Sequence, residues 1–377
     1  MRPALTLLGV AVAIVGVSGT AAPTWQPHEI ALTSSVSYEP QKAWRVELNA
    51  TFSHEQSGTV LHGAGYWDGG TDWKLRFAPP TAGEWKWSTS CSDLENSGLH
   101  AKTASFAATA NAGTNPLFLH GFLRPNKGNR FLEHADGTPF YWLGDTHWSG
   151  FSSAEHWADS DNTTIDPGAS AHSMLKEMVD VRARQGYSVW KGETFVVNGK
   201  QGGEQGGISN AGGDAWGAGG MYGALRPEFW QAVDEIVEYI NSKGIVVSFA
   251  FAGIGRGLTN ESMVPDIMAL ARYTTARYAG YSTVWTTCQE YCAGVSGHAE
   301  PWAVSAWGKI AESQWLLDPH KRSTSLHNCA WNPIPSWRGA SWYGHNTNQQ
   351  GHFSTQPVEH WLEQYLLRTI HSTMHTL

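Results

Sequence analysis

Two hydrophobic periods divide this chain. From about residue 28 to residue 112 apolar and polar positions alternate. Trp44, Val46, Leu48, Ala50 and Phe52 share one face of a period of two, and Trp73-Lys74-Leu75-Arg76-Phe77 and Trp85-Lys86-Trp87-Ser88-Thr89 repeat it. Asp68-Gly69-Gly70, Pro79-Pro80 and Ala82-Gly83 punctuate the runs with turn residues. Short strands at near-regular spacing predict a β-sandwich over 28–112.

The pattern changes after Asn111-Ala112-Gly113-Thr114-Asn115-Pro116, which reads as a connector. From 117 to 377 apolar runs alternate with helical periods. Pro139 to Trp148 reads as a first strand ending in polar groups, Tyr187 to Trp190 as a second, Ile245 to Phe251 as a third and Ser282 to Thr286 as a fourth. Lys321 to Leu326 and Ser341 to Gly344 read as a fifth and a sixth. The intervening helices are expected over Ser170–Gln185, Arg226–Lys243, Pro265–Tyr278 and Pro301–Leu317, with a last one over Pro357–Ile370. Pro227 near one start and Gly244 past the same helix's end are the expected punctuation. Asn198 to Gly223 is too long and too rich in glycine for an ordinary connection. This alternation implies α/β architecture with a parallel sheet. Leu143-Gly144-Asp145-Thr146-His147-Trp148 lacks the GxGxxG turn of a doubly wound dinucleotide fold, so a TIM-type (β/α) barrel is preferred. About six strand–helix units are present, and the barrel is expected to lack its last two.

Composition narrows the functional classes. With 377 residues the chain suits two domains, and a net charge of −8 gives no reason to expect nucleic acid as a partner. Charged residues make up only 15 % while tryptophans number 20, which suits packed cores and sugar-stacking indole faces. Residues 1–22 read as a signal peptide: Arg2, an apolar stretch from Leu5 to Val17, then small residues through Ala22. That stretch is short of the roughly 20 residues of a membrane span, so a secreted, extracellular product with no membrane partner is expected. The sequons at Asn49, Asn162 and Asn260 agree with a secreted glycoprotein. Of the four cysteines, Cys288 and Cys292 are able to pair with each other or either with Cys329, which leaves Cys91 free. No CxxC pair or HExxH occurs, so neither metal nor cofactor is expected.

Barrel enzymes carry their chemistry at the C-terminal ends of the strands. That rule selects Asp145, His147 and Trp148, then Lys191 and Glu193, then Gln289 and Glu290, then His327, and last Gln350 and His352. Glycoside cleavage generally uses two carboxyl groups across the scissile bond. Glu290, after the buried run Val284-Trp285-Thr286-Thr287, is the candidate proton donor. Asp145 either holds a substrate hydroxyl or pairs with an Arg or Lys, and Gly-Asp-Thr is also good turn chemistry. Glu193 has the same two readings, and His327 and His352 either bind hydroxyls or are structural.

The run Phe131 to Trp148, with its Gly144-Asp145-Thr146, resembles the first strand of the apiosidase-like glycoside hydrolases. Val284 to Glu290 is similar to that family's fourth strand, and Ser341-Trp342-Tyr343 to Gln350-Gly351-His352 is similar to a later segment. Tyr66-Trp67-Asp68-Gly69 and Trp73 to Pro79 resemble the Ig-like domain that precedes such a module. The resemblance implies a retaining glycosidase acting on poly- or oligosaccharide, with Glu290 as acid/base and Asp145, Trp148, Glu193, Gln289, His327, Gln350 and His352 around the substrate. The family nucleophile follows a seventh strand, and no residue of this chain matches it. A non-catalytic carbohydrate-binding protein, or an adhesin built on the sandwich, are the rival readings.

Overall fold

The computed structural model describes residues 21–126, 131–152, 173–194, 196, 208–220, 222–252, 258, 260–289, 301–328, 337, 339–345 and 347–348. Among these, six alternating segments form the N-terminal domain: β1 (His28–Thr33), β2 (Leu48–His54), β3 (Val60–Gly69), β4 (Asp72–Phe77), β5 (Gly83–Cys91) and β6 (Thr103–Thr109). They pair antiparallel in the order β6-β5-β2-β3-β4-β1, and Ala22–Pro23 adds a short parallel edge beside β6. The pairing makes one continuous sheet. Its inward positions are those that the period of two selects: Leu48, Ala50 and Phe52 on β2 and Leu75 and Phe77 on β4 are buried. Phe52 and Phe77 stack with ring centroids 4.0 Å apart. Each of these Leu and Phe side chains contributes about 1.5–3 kcal/mol by leaving water.

A second sheet is parallel: β10 (Gly144–His147), β11 (Val189–Glu193), β12 (Val246–Ala250), β13 (Thr283–Thr286) and β14 (Thr324–Ser325), in that order. It is barrel-shaped and nearly closed. Helices α1 (Met174–Arg184), α2 (Pro227–Ser242), α3 (Val264–Tyr278) and α4 (Pro301–Leu317) join its strands. Helix α2 buries Phe229, Trp230, Val233, Ile236, Val237 and Ile240 on one stripe, starts on Pro227 and stops at Gly244, whose φ of +79° favours glycine.

One antiparallel unit closes the N-terminal ends of the parallel strands: β7 (Leu123–Pro125), β8 (Leu132–His134) and β9 (Pro139–Phe140). Leu117 and Leu123 pack there on Val246 and Val284, with Phe118, Leu132 and Phe140 around them. The expected first strand, Pro139 to Trp148, is therefore two strands in two sheets, β9 and β10. The expected Lys321–Leu326 strand shrinks to Thr324–Ser325, because Lys321 takes a left-handed φ of +49° and the Arg322 guanidinium is committed to Asp318. Ser341–Gly344 supplies only a bridge, Tyr343 to Thr324. Residues 1–20, all but the last two of the expected 1–22 signal segment, and the expected helix at Pro357–Ile370 lie outside the described residues, while Ala22 is paired with Ala108 in the N-terminal sheet.

Polar groups join the two domains. Asp234 on α2 accepts from Arg277 Nε and Nη2, both at 2.8 Å, and from Arg76 Nη2 at 2.9 Å. Arg277 also reaches Asp68 at 2.9 Å, and Arg76 Nη1 donates to the Arg277 carbonyl at 2.6 Å. Burial would raise the Asp234 carboxyl, but the two guanidiniums outweigh it and hold it below the ordinary range.

Candidate active site

Alternation along the parallel strands decides which side chains reach the barrel interior. Ser248 pairs with Lys191 and with Val284, and Val284 belongs to the interior floor, so Lys191 faces inward and Trp190 outward. Glu193 shares the Lys191 face, and Thr146 is registered beside Lys191. The neighbours of Lys191 and Glu193 on β12 are Ser248 and Ala250, small residues that leave room for long side chains.

Four groups from four strands converge above this floor. Lys191 Nζ donates to Gln289 Oε1 at 2.8 Å and stands 4.6 Å from the centroid of the Trp148 ring. Gln289 Nε2 and His327 Nε2 are 3.5 Å apart, a weak contact by distance. His327 meets the Trp148 ring edge to face, with centroids 6.1 Å apart. Burial and the Lys191 charge push the His327 imidazole down to about 3, so it is neutral at any physiological pH. Its Nδ1 is buried and has no hydrogen-bond partner among the described residues. Trp148 is 38 % exposed, so its ring is open to an incoming ligand. Burial and Glu193 raise the Cys288 thiol against the opposing charge of Lys191, which keeps it protonated. Both described cysteines, Cys91 and Cys288, are free thiols, which leaves Cys292 with Cys329 of the three pairings considered; both of those lie outside the described residues.

Of the sequence-selected residues, Trp148, Lys191, Glu193, Gln289 and His327 thus occupy or face one interior. Asp145 does not. It is registered beside Trp190, on the outward face, where it pairs with Arg182 Nε of α1 at 2.5 Å and with His147 Nε2 at 3.1 Å. The structure therefore realises the ion-pair alternative for Asp145, and its place at a strand end misled because the neighbouring inward position is Thr146. His147 lies flat on Trp190, with rings 3.5 Å apart and 1° from parallel. Glu290, Gln350 and His352 lie outside the described residues.

The strand-end rule selected Lys191 without assigning it a role, and it overlooked His345. The His345 ring lies 5.6 Å from Trp142, and its Nδ1 is 2.6 Å from Ser323 Oγ. Burial and Lys191 lower it to about 4. The available signal was parity: Trp142 is in step with Thr146 and Trp148. Among the described residues no group of three or more His, Cys, Asp or Glu side chains is arranged to hold a metal ion. The cluster offers an aromatic face, an amide, a neutral imidazole and a fixed cation. Such a set is chemically suited to hydroxyl-bearing ligands, through stacking and hydrogen bonds.

Residues 126–376 match the profile of the apiosidase-like catalytic domain, and residues 21–92 match a domain of unknown function, DUF5060. No curated protein matches the chain. Among solved structures, a putative glycoside hydrolase from Bacteroides vulgatus is similar at a TM-score of 0.63 and 17 % identity, over 88 % of this chain and 60 % of that one. The chain thus spans about 60 % of the length of that relative. A glycoside hydrolase of family 5 from the same organism aligns at a TM-score of 0.44 and 19 % identity, over 64 % of this chain and 47 % of that one.

Proposed function

The chain belongs to the apiosidase-like family, and on that premise we propose that it is a secreted glycosidase that hydrolyses O-glycosidic bonds in polysaccharide. Its parallel strands are read as part of a (β/α)8 barrel behind an Ig-like domain. The observation that carries the reading is the Lys191–Gln289–His327–Trp148 cluster at the strand ends, with Glu290 next in sequence to Gln289.

In this reading the Trp148 ring stacks on the apolar face of a sugar. Gln289 and the His327 ring stand beside it as hydrogen-bonding groups, and Glu193 supplies negative charge to the same interior. Lys191 holds the Gln289 amide in one orientation. Glu290 donates a proton to the leaving oxygen and, in a retaining mechanism, later takes one from water. The second carboxylate is left unassigned. Among the described residues no helix is long and apolar enough to cross a membrane.

The test compares the protein with Glu290→Gln on a panel of plant and microbial polysaccharides, reading released reducing sugar. Sugar release that falls about 10²–10⁴-fold in the variant is the expected result. Binding without release by the unaltered protein would replace this reading with a non-catalytic carbohydrate-binding one.

A further inference from the structure

Between Glu193, at the end of β11, and Pro227, at the start of α2, runs the glycine-rich connection. Its described part is an ordered hairpin-like turn. Trp216 and Leu225 form an antiparallel bridge, Gly217 N donates to Ala224 O at 2.7 Å, and Arg226 N donates to Ala215 O at 3.1 Å. Trp216 Nε1 donates to the carbonyl of Val196 at 2.8 Å, three residues beyond Glu193. Within the turn Tyr222 holds a left-handed φ of +66°, a conformation that a bulky side chain does not take unless its surroundings impose it.

The N-terminal domain supplies those surroundings. Trp44 Nε1 donates to the Gly223 carbonyl at 3.1 Å, and its ring meets Trp216 edge to face, with centroids 5.5 Å apart. Arg45 Nη2 donates to the Tyr222 carbonyl at 2.8 Å, while its Nη1 is paired with Asp266 on α3. Trp44 is almost fully buried in this contact, with 3 % of its surface exposed. A continuous set of contacts therefore leads from Trp44 and Arg45, through Trp216, Tyr222 and Gly223, to Val196 and the chain that leaves β11.

We propose that the N-terminal domain serves the site directly: Trp44 and Arg45 are positioning residues that clamp the connection after β11 and fix the segment carrying Glu193. This rests on the glycosidase reading only for its catalytic consequence; the clamp itself is tested separately. Trp44→Phe keeps the ring and removes the donor. Arg45→Met removes both bonds, and Arg45→Lys keeps the charge. In the full-length protein, amide hydrogen exchange over residues 208–226 is followed by mass spectrometry, together with kcat and KM on whichever polysaccharide the unaltered protein cleaves.

Exchange at 208–226 is expected to rise about tenfold or more in Arg45→Met and Trp44→Phe, with α4 unchanged. kcat/KM is expected to fall about tenfold and to recover in part with Arg45→Lys. Unchanged exchange at 208–226 overturns the clamp, and so does a rise spread equally over α4. Local loosening with wild-type kcat and KM overturns the positioning role. If the unaltered protein cleaves nothing, the glycosidase reading has failed, and exchange alone then decides the clamp.

Discussion

Asp234→Ala is the sharpest single perturbation of the way the two domains meet. The carboxylate takes three bonds of 2.8–2.9 Å from Arg277 and Arg76. Arg277 is fully buried and Arg76 is 5 % exposed, so removing Asp234 leaves two desolvated guanidiniums short of negative charge. Breaking a buried pair in this way costs about 3–5 kcal/mol. The low end applies, because Arg277 keeps Asp68 at 2.9 Å and the Tyr273 hydroxyl at 3.0 Å, and Arg76 keeps Glu29 at 3.0 Å. About 3 kcal/mol lowers Tm by roughly 6–12 °C in a domain of this size. Because the folded carboxyl titrates below its ordinary value, its contribution is complete above the unfolded value and is lost as pH falls through the folded one. The gap in Tm between the two proteins, read by calorimetry, is therefore constant from pH 7 to about pH 5 and closes in stronger acid. Adding Arg277→Met to Asp234→Ala removes one stranded cation and restores part of the loss. A variant that melts within about 1 °C of the parent at pH 7 would refute the reasoning.

Two further outcomes follow from the histidines. Lys191→Met removes the charge that helps burial keep His327 neutral, so His327 is expected to titrate at a higher pH; its labelled ring signals report this, and an unchanged titration would remove Lys191 from the account. His320 is held at about 3 by burial between Phe77, Phe122 and Trp25, and His327 is held as low. Both stay neutral while the unfolded chain takes protons below about pH 6.5, so each withdraws about 2 kcal/mol of stability at pH 5. Urea unfolding at pH 7 and pH 5 should show His320→Phe losing less than the parent, and equal losses would contradict the assignment.

Elements with one clear period were legible in the residues. The β2, β4 and β5 alternation and the apolar stripe of α2 each bury one face, and a single face is what periodicity records. The expected Pro301–Leu317 helix is present with those bounds. Parallel strands are less legible because helices cover one side of the sheet and the interior lies on the other, so both faces are apolar or carry isolated polar groups. The run Tyr187-Ser188-Val189-Trp190 gives no sign that β11 continues inward through Lys191 to Glu193. Long-range closure is equally silent: the Trp142–His345 contact joins residues about two hundred positions apart.

The difference between Asp145 and Glu193 shows what a strand-end rule omits. Both are carboxylates near the C-terminal ends of adjacent strands, and by position alone they are equivalent candidates. Register separates them. Asp145 is opposite Trp190 and therefore faces α1, where Arg182 neutralises it. Glu193 is opposite Ala250, in step with Lys191, and therefore faces the interior. One residue of slip along β10 would exchange Asp145 for Thr146 and bring a second carboxylate into the cluster. What sets the register is the packing of β10 on β11. A Cβ on Gly144 would lie 2.7 Å from the Val189 carbonyl oxygen, so glycine permits the close approach that pairs these two residues. The Gly-Asp-Thr sequence is thus a device of strand registration first, and Asp145 locks α1 against β10 through Arg182.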